Sequence, residues 1–299
     1  MAEKRWVSVD VGGTEIKYAV FGADRDILYD GKRKTPAGEA NIHIPEAVLA
    51  IVQEMMDRYG PMQGAGISTA GVVDTKTGEI IYAGGTIPTY KGTNLKRSIE
   101  DRFGLKTIIM NDVNAAAVGE WWRGAAEGVD DFFCLTLGTG IGGALFCGGH
   151  PVTGAHYRAG EIGHSLYDKE SGTTYEQRAS MSALLKQATR KLPDFDGSGF
   201  TLFEEAKAGN TLYLDVIDQW AEEIARGVAN VIVLADPALI VIGGGVSEQG
   251  DELLDRIKLQ LPAYMPPGFS QSELAVAQLG NKAALYGVVY PYFKEEMER

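Results

Sequence analysis

The chain has 299 residues, 45% of them hydrophobic and 23% charged, an ordinary globular composition that suffices for one large domain or two medium ones. Its net charge of −12, with no basic stretch longer than Lys32 to Lys34, argues against a nucleic-acid binder. Its two cysteines, Cys134 and Cys147, form no CxxC pair, which speaks against a Cys-rich zinc site or a disulfide framework.

Along the chain, Trp6 to Val11 alternates apolar and polar, meets Gly12-Gly13, and alternation resumes from Thr14 to Phe21, the pattern of a β-hairpin. The N-terminus leads straight into this strand without a signal-peptide apolar core, and no apolar run nears the ~20 residues of a membrane span, so a cytoplasmic protein is expected. Ile44 to Tyr59 has helical spacing. Gly64 to Thr69 and Lys106 to Met110 read as short strands, the second ending at Asn111-Asp112, and a helix is expected from Ala115 to Ala126. There Asn114 fits the helix cap, leaving Asp112 for other work.

The pattern then restarts. Phe132 to Leu137 is apolar, Gly138 to Gly143 holds four glycines, and Ala144 to Cys147 is apolar again. Strand, glycine turn and strand thus recur about 130 residues after their first appearance, a weak internal repeat that suggests two halves of similar topology. Ala155 to Ser180 reads as a polar loop. Leu212 to Asp236 is a long helix with Ile217, Trp220, Ile224, Val228, Val231 and Leu234 on its apolar side, stopped by Pro237. Leu239 to Ile242 is a buried strand running into Gly243-Gly244-Gly245, Leu253 to Leu261 is helical, and a last helix begins near Lys282. Strands alternating with helices indicate an α/β architecture.

Three glycine turns therefore follow three apolar strands. A bare glycine backbone lets phosphate oxygens approach N–H groups, and three such turns together can line a nucleotide cleft. Asp10, at a strand end, is suited to holding Mg²⁺ through water. Asp112, where an apolar strand ends, is suited to accepting a hydroxyl proton.

The motifs resemble those of the ROK family of sugar kinases and repressors, in the actin/hexokinase/Hsp70 superfamily. Asp10-x-Gly12-Gly13-Thr14-x-x-Lys17 is similar to its first phosphate motif, Leu137-Gly138-Thr139-Gly140-Ile-Gly-Gly-Ala144 to its second, and Ile242-Gly243-Gly244-Gly245-Val246 to its adenosine motif. Asn111-Asp112-Val-Asn-Ala-Ala-Ala-Val-Gly-Glu120 is similar to the catalytic segment, and Glu161-Ile-Gly-His164 to the sugar-binding ExGH. The resemblance implies a two-lobed actin-like ATPase fold of duplicated ribonuclease-H-like domains with an interlobe cleft. Residues 1–114 would form the smaller domain, 115–282 the larger, with 283–299 returning to the first. It implies ATP and Mg²⁺ as cofactors, a homodimer, and phosphoryl transfer to a hexose-type sugar, by family precedent at the 6-hydroxyl. Asp112 would be the base, Asn111, Gly71 and Thr86 would contact sugar, and Glu161 and His164 would do so from one helical turn.

Two departures stand out. Many members follow ExGH with a cysteine-rich CxCGxxGCxE zinc motif, whereas Ser165 to Ser180 holds no cysteine. No structural zinc is therefore expected, and Glu176 stands where the motif's final, sugar-binding glutamate would. Gly84-Gly85-Thr86-Ile87-Pro88 replaces a common Pro-Asn sugar contact and is similar to the subgroup of β-glucoside and N-acetylmannosamine kinases. The alternative is a sugar-responsive ROK regulator lacking its DNA-binding domain. Regulators carry a helix-turn-helix before the first phosphate motif, which here starts at residue 10.

Overall fold

The computed structural model describes residues 3–84 and 87–298. The chain divides into two compact units, Met1–Gly124 with Thr153–Ala159 and Asn281–Arg299, and Ala125–Val152 with Gly160–Gly280.

The first unit begins with β1 (Trp6–Val11), β2 (Glu15–Phe21) and β3 (Ile27–Lys34). Then come α1 (Ala40–Tyr59), β4 (Gly64–Thr69), the ribbon β5 (Val72–Val73) and β6 (Ile80–Tyr82), α2 (Leu95–Phe103), β7 (Thr107–Asn111) and α3 (Asp112–Arg123). The sheet order is β3-β2-β1-β4-β7. β1 and β2 form the expected hairpin, with Val11 opposite Ile16, and β4 and β7 add in parallel to β1. β3 escapes the sequence pattern because it is an edge strand whose outward residues are mostly polar (Asp30, Lys32 and Lys34 beside Leu28), so it lacks an apolar run.

The second unit holds β8 (Phe132–Leu137), β9 (Ile141–Cys147), β10 (His150–Val152), α4 (Tyr175–Ala179), α5 (Met181–Lys191) and α6 (Gly199–Lys207). It continues with α7 (Thr211–Ala235), β11 (Leu239–Gly243), α8 (Gly250–Gln260) and β12 (Glu273–Val276). Its sheet order is β10-β9-β8-β11-β12. Counted along its own sheet, each unit has its third, second, first, fourth and fifth strands side by side, the first three antiparallel and the last two parallel. The weak glycine-turn repeat is thus a full duplication of topology, and the fold is the actin-like ATPase fold.

The core of the second unit is α7 laid on the sheet, with Ile217, Trp220, Ile224 and Val228 buried. Leu234 departs from the expected stripe. It is 85% exposed, in the last turn before Asp236 adopts a left-handed cap. The segment from Ala155 to Ser180, expected as loop, contains the short helix α4 and a 3-10 turn at Ile162–His164.

α9 (Ala283–Met297) packs in the first unit against α3 through glycines. A Cβ on Gly287 would overlap the Ala115 carbonyl, and one on Gly119 the Ala283 carbonyl. The two backbones meet without side chains between them, which fixes the axis along which α3 projects from the sheet. Among the described residues no helix is long and apolar enough to cross a membrane.

Candidate functional site

In the first unit the candidate residues gather at the C-terminal ends of the parallel strands, where ligands bind in open α/β sheets. Register explains which residues meet. Asp10 on β1 lies opposite Lys17 on β2 and Ser68 on β4, while in the next row Thr69 lies opposite Asn111 on β7. Ser68 Oγ donates to Asp10 Oδ1 at 2.7 Å, and Lys17 Nζ lies 3.9 Å from Oδ2. Lys17 also donates to Asn281 Oδ1 at 3.1 Å. Burial nevertheless pushes the Asp10 carboxyl up from its ordinary value, against the opposing Ser68 hydrogen bond and Lys17 charge. A buried anion with so little compensation favours a cation beside it.

The first glycine turn is held from a distance. Gly12 N–H donates to the Glu15 carbonyl at 3.1 Å. Thr35, just beyond β3, donates its hydroxyl to the Gly12 carbonyl at 2.7 Å and its N–H to the Thr14 carbonyl at 2.9 Å. Gly13 and Thr14 at the tip stay exposed.

Asp112 is the first residue of α3, so the helix starts three residues before the expected Ala115 and the cap is Asn111, not Asn114. The side-chain oxygen of Asn111, Oδ1, accepts from Val113 N–H at 2.9 Å and Asn114 N–H at 3.1 Å. Its amide donates to Gly71 O at 3.0 Å and to Asp112 Oδ1 at 2.9 Å. Asp112 Oδ1 also accepts from Val113 N–H at 3.0 Å. One asparagine therefore starts the helix and orients the carboxylate beside it. Gly71 offers that carbonyl from φ +97°, a conformation that favours glycine. Beneath lie Thr69 and the buried Tyr90, hydroxyl to hydroxyl at 2.8 Å. Burial foremost, and the Asp112 charge in addition, push the Tyr90 phenol up, so it stays neutral. Thr86, the other expected sugar contact in this unit, lies outside the described residues.

In the second unit the second and third glycine turns come together. Gly243 pairs with Thr136, and Gly244, at φ +88°, packs so closely on Leu137 that a Cβ would overlap its carbonyl. The segment from Gly138 to Gly140 is held at both ends: Met181 N–H donates to the Gly138 carbonyl at 2.9 Å, and Ile141 N–H donates to Glu176 Oε2 at 2.8 Å. A side chain at Gly140 would collide with that carboxylate. Thr139 lies between these anchors, and Gly245 opens a 3-10 turn. Glu161 precedes and His164 ends one 3-10 turn, His164 Nε2 lying 4.0 Å from Glu161 Oε2.

Sequence reasoning did not name Thr35, Ser68, Thr69 or Tyr90. For Ser68 and Thr69 a signal existed, because polar residues close an otherwise apolar strand just as Asp10 does. Thr35 and Tyr90 carried none, since their partners are set by strand order and loop path.

The ROK family model matches residues 6–293. A glucokinase of Halalkalibacterium halodurans is 31% identical, over 96% of this chain and 94% of that protein. A β-glucoside kinase of Listeria monocytogenes is 30% identical, over 96% of this chain and 97% of its own length. The crystal structure of a ROK family glucokinase from Streptomyces griseus, in complex with glucose and AMPPNP, is similar at TM-score 0.81 and 32% identity, covering 96% of this chain and 98% of that one.

Proposed function

The chain belongs to the ROK family, and we propose that it is an ATP-dependent sugar kinase that phosphorylates a hexose-type sugar with Asp112 as general base. The observation that carries this reading is the Asp112 carboxylate, clasped by the Asn111 amide and the Val113 N–H where β7 turns into α3. A pure binding protein needs no carboxylate oriented in that way.

In this reading the sugar hydroxyl loses its proton to Asp112 and its oxygen attacks the γ-phosphorus of ATP. The bond to the β-phosphate oxygen breaks, and ADP and the sugar phosphate leave. Phosphoryl transfer asks the protein chiefly for positioning and charge stabilisation. The turns Gly12-Gly13-Thr14 and Gly138 to Gly140 suit phosphate oxygens through the N–H groups of Gly13, Thr14, Thr139 and Gly140, since those of Gly12 and Gly138 are taken by the Glu15 and Gly140 carbonyls. Gly243 to Gly245 suit the adenosine. Asp10 suits Mg²⁺ through water, since a single carboxylate with a hydroxyl neighbour leaves most ligand positions to water and substrate. When bound, Mg²⁺ would neutralise charge on the phosphate oxygens. Glu161, His164, Glu176, Asn111 and Gly71 are assigned to the sugar.

For the sugar itself, we infer a β-glucoside, glucose or N-acetylmannosamine, transferred at the 6-hydroxyl. The sequence Gly84-Gly85-Thr86-Ile87-Pro88, similar to the subgroup of β-glucoside and N-acetylmannosamine kinases, supports this. The test is ADP release with ATP, Mg²⁺ and a panel of glucose, cellobiose, other β-glucosides and N-acetylmannosamine. Sugar-dependent ADP is expected, and its absence across the panel would sink the kinase reading. A strong preference for free glucose would overturn the subgroup.

A further inference from the structure

The segment between the ExGH turn and Glu176 has to bring both to the sugar, and many family members cross-link it with zinc. Here the residues at that place are Ser165, Leu166, Tyr167, Asp168, Lys169, Glu170, Ser171, Gly172, Thr173 and Thr174, with no soft ligand among them. Zn²⁺ does not fit. The donors present are the carboxylates of Asp168 and Glu170, hydroxyls and carbonyls, and a guanidinium already stands among them.

That guanidinium belongs to Arg178 on α4. Its Nη2 donates to the Leu166 carbonyl at 2.7 Å, and its Nη1 to the Thr173 carbonyl at 2.8 Å and to Thr173 Oγ1 at 2.9 Å. Its Nε donates to Glu223 Oε2 at 3.1 Å, on α7. The side chain is only 16% exposed. Leu166 and Thr173 are the two sides of the segment's neck. The backbones of Asp168 and Thr173 pair beside it through two hydrogen bonds of 2.8 and 3.2 Å. Ser165 accepts from Tyr175 N–H at 2.9 Å just outside it. The Asp168 carboxylate, kept low mainly by hydrogen bonds from Ser171 and Glu170 and further by the Arg178 charge, ties the tip.

We propose that Arg178 is a positioning residue that closes this neck as a metal would. A planar fork with five donors can hold two carbonyls and a carboxylate at fixed angles, which an ammonium cannot. The closed neck sets the ExGH turn, which ends at His164, against α4, which carries Glu176. Tyr175 adds the anchor: its ring lies where a Gly227 side chain would be, and its hydroxyl donates to the Ile224 carbonyl at 3.2 Å. The assignment rests on the sugar-kinase reading for its effect on substrate, while the clamp itself can be tested without turnover.

The experiment compares wild type, Arg178→Ala, Arg178→Lys and Glu223→Gln by amide hydrogen exchange, elemental analysis and steady-state kinetics. In Arg178→Ala the Asp168 and Thr173 amides should exchange at least ~10-fold faster. Its sugar KM should rise at least ~10-fold while the ATP KM changes less than about 3-fold. Arg178→Lys should recover only part of both, and, with Glu223→Gln, it keeps the test available if the alanine variant does not fold. Wild type should hold no stoichiometric zinc, and a zinc-selective chelator with Mg²⁺ restored should change neither exchange nor KM. Unchanged exchange in the variants would overturn the clamp. Faster exchange with an unchanged sugar KM would overturn the positioning role. Zinc whose removal loosens residues 165–174 would overturn the replacement of metal. A wild type without sugar-dependent ADP would instead refute the kinase reading and leave the exchange result to judge the clamp.

Discussion

At the scale of single residues, two aspartates in the first unit are asked to behave differently. Asp112 is oriented by hydrogen bonds from Asn111 and Val113. Asp112→Asn should keep sugar binding, measured by calorimetry, while turnover falls at least ~10²-fold, the usual weight of a general base. Asp10 is a buried carboxyl whose ionisation is costly without a cation. A raised folded-state value means that its stabilising neutral form is present below the ordinary value of 3.8 and is lost as pH rises through the raised one. Asp10→Asn removes that loss. Its thermal midpoint relative to wild type should therefore climb from acid to neutral pH, as calorimetry can follow, while Mg²⁺-dependent turnover drops at least ~10²-fold because charge neutralisation is worth several kcal/mol. Asp10 and Asp112 were both readable as polar residues closing apolar strands. The clasp by Asn111 was not: the sequence favoured Asn114, a cap of the same residue type, and only the observed path of β7 puts Asn111 there.

At the scale of elements, α3 is placed by its crossing with α9 and by the cap at Asn111. Gly287→Ala puts a methyl group into the Ala115 carbonyl, where backbone would have to move. The expected cost is roughly 1–3 kcal/mol of stability, as for other overpacked cores. Because α3 carries Asp112, turnover should fall along with the thermal midpoint, whereas a change confined to stability would separate the crossing from the site. The long helices were legible from their 3.6-residue period. The helices α2, α4, α5 and α6 were not; α4, for one, has only 5 residues, too few to show a period. Over such lengths packing outweighs pattern.

At the scale of the whole molecule, the two units repeat one topology but not one chemistry. Position for position along the first strand of each sheet, Asp10 corresponds to Thr136, two residues before its own glycine turn. The carboxylates proposed for metal and proton transfer thus sit in one copy only. Thr136→Asp should leave the fold intact, since Thr136 is half-buried at a strand end, but raise the ATP KM by roughly tenfold or more through repulsion of phosphate. An unchanged KM in steady-state kinetics would mean that this turn does not meet the nucleotide's phosphates.

Sequence by itself determined the local features of this protein: strand and helix periods, glycine turns that follow apolar strands, and the carboxylates that close apolar strands. Those are short-range properties of backbone conformation and hydrophobic alternation, and they are written within a few residues of where they act. Tertiary structure alone decided the partners. Ser68 meets Asp10 across 58 residues and Arg178 meets Glu223 across 45, and Thr35 reaches the Gly12 carbonyl across 23. Sheet order and loop path choose such pairs, and nothing in the local pattern of either member announces the other.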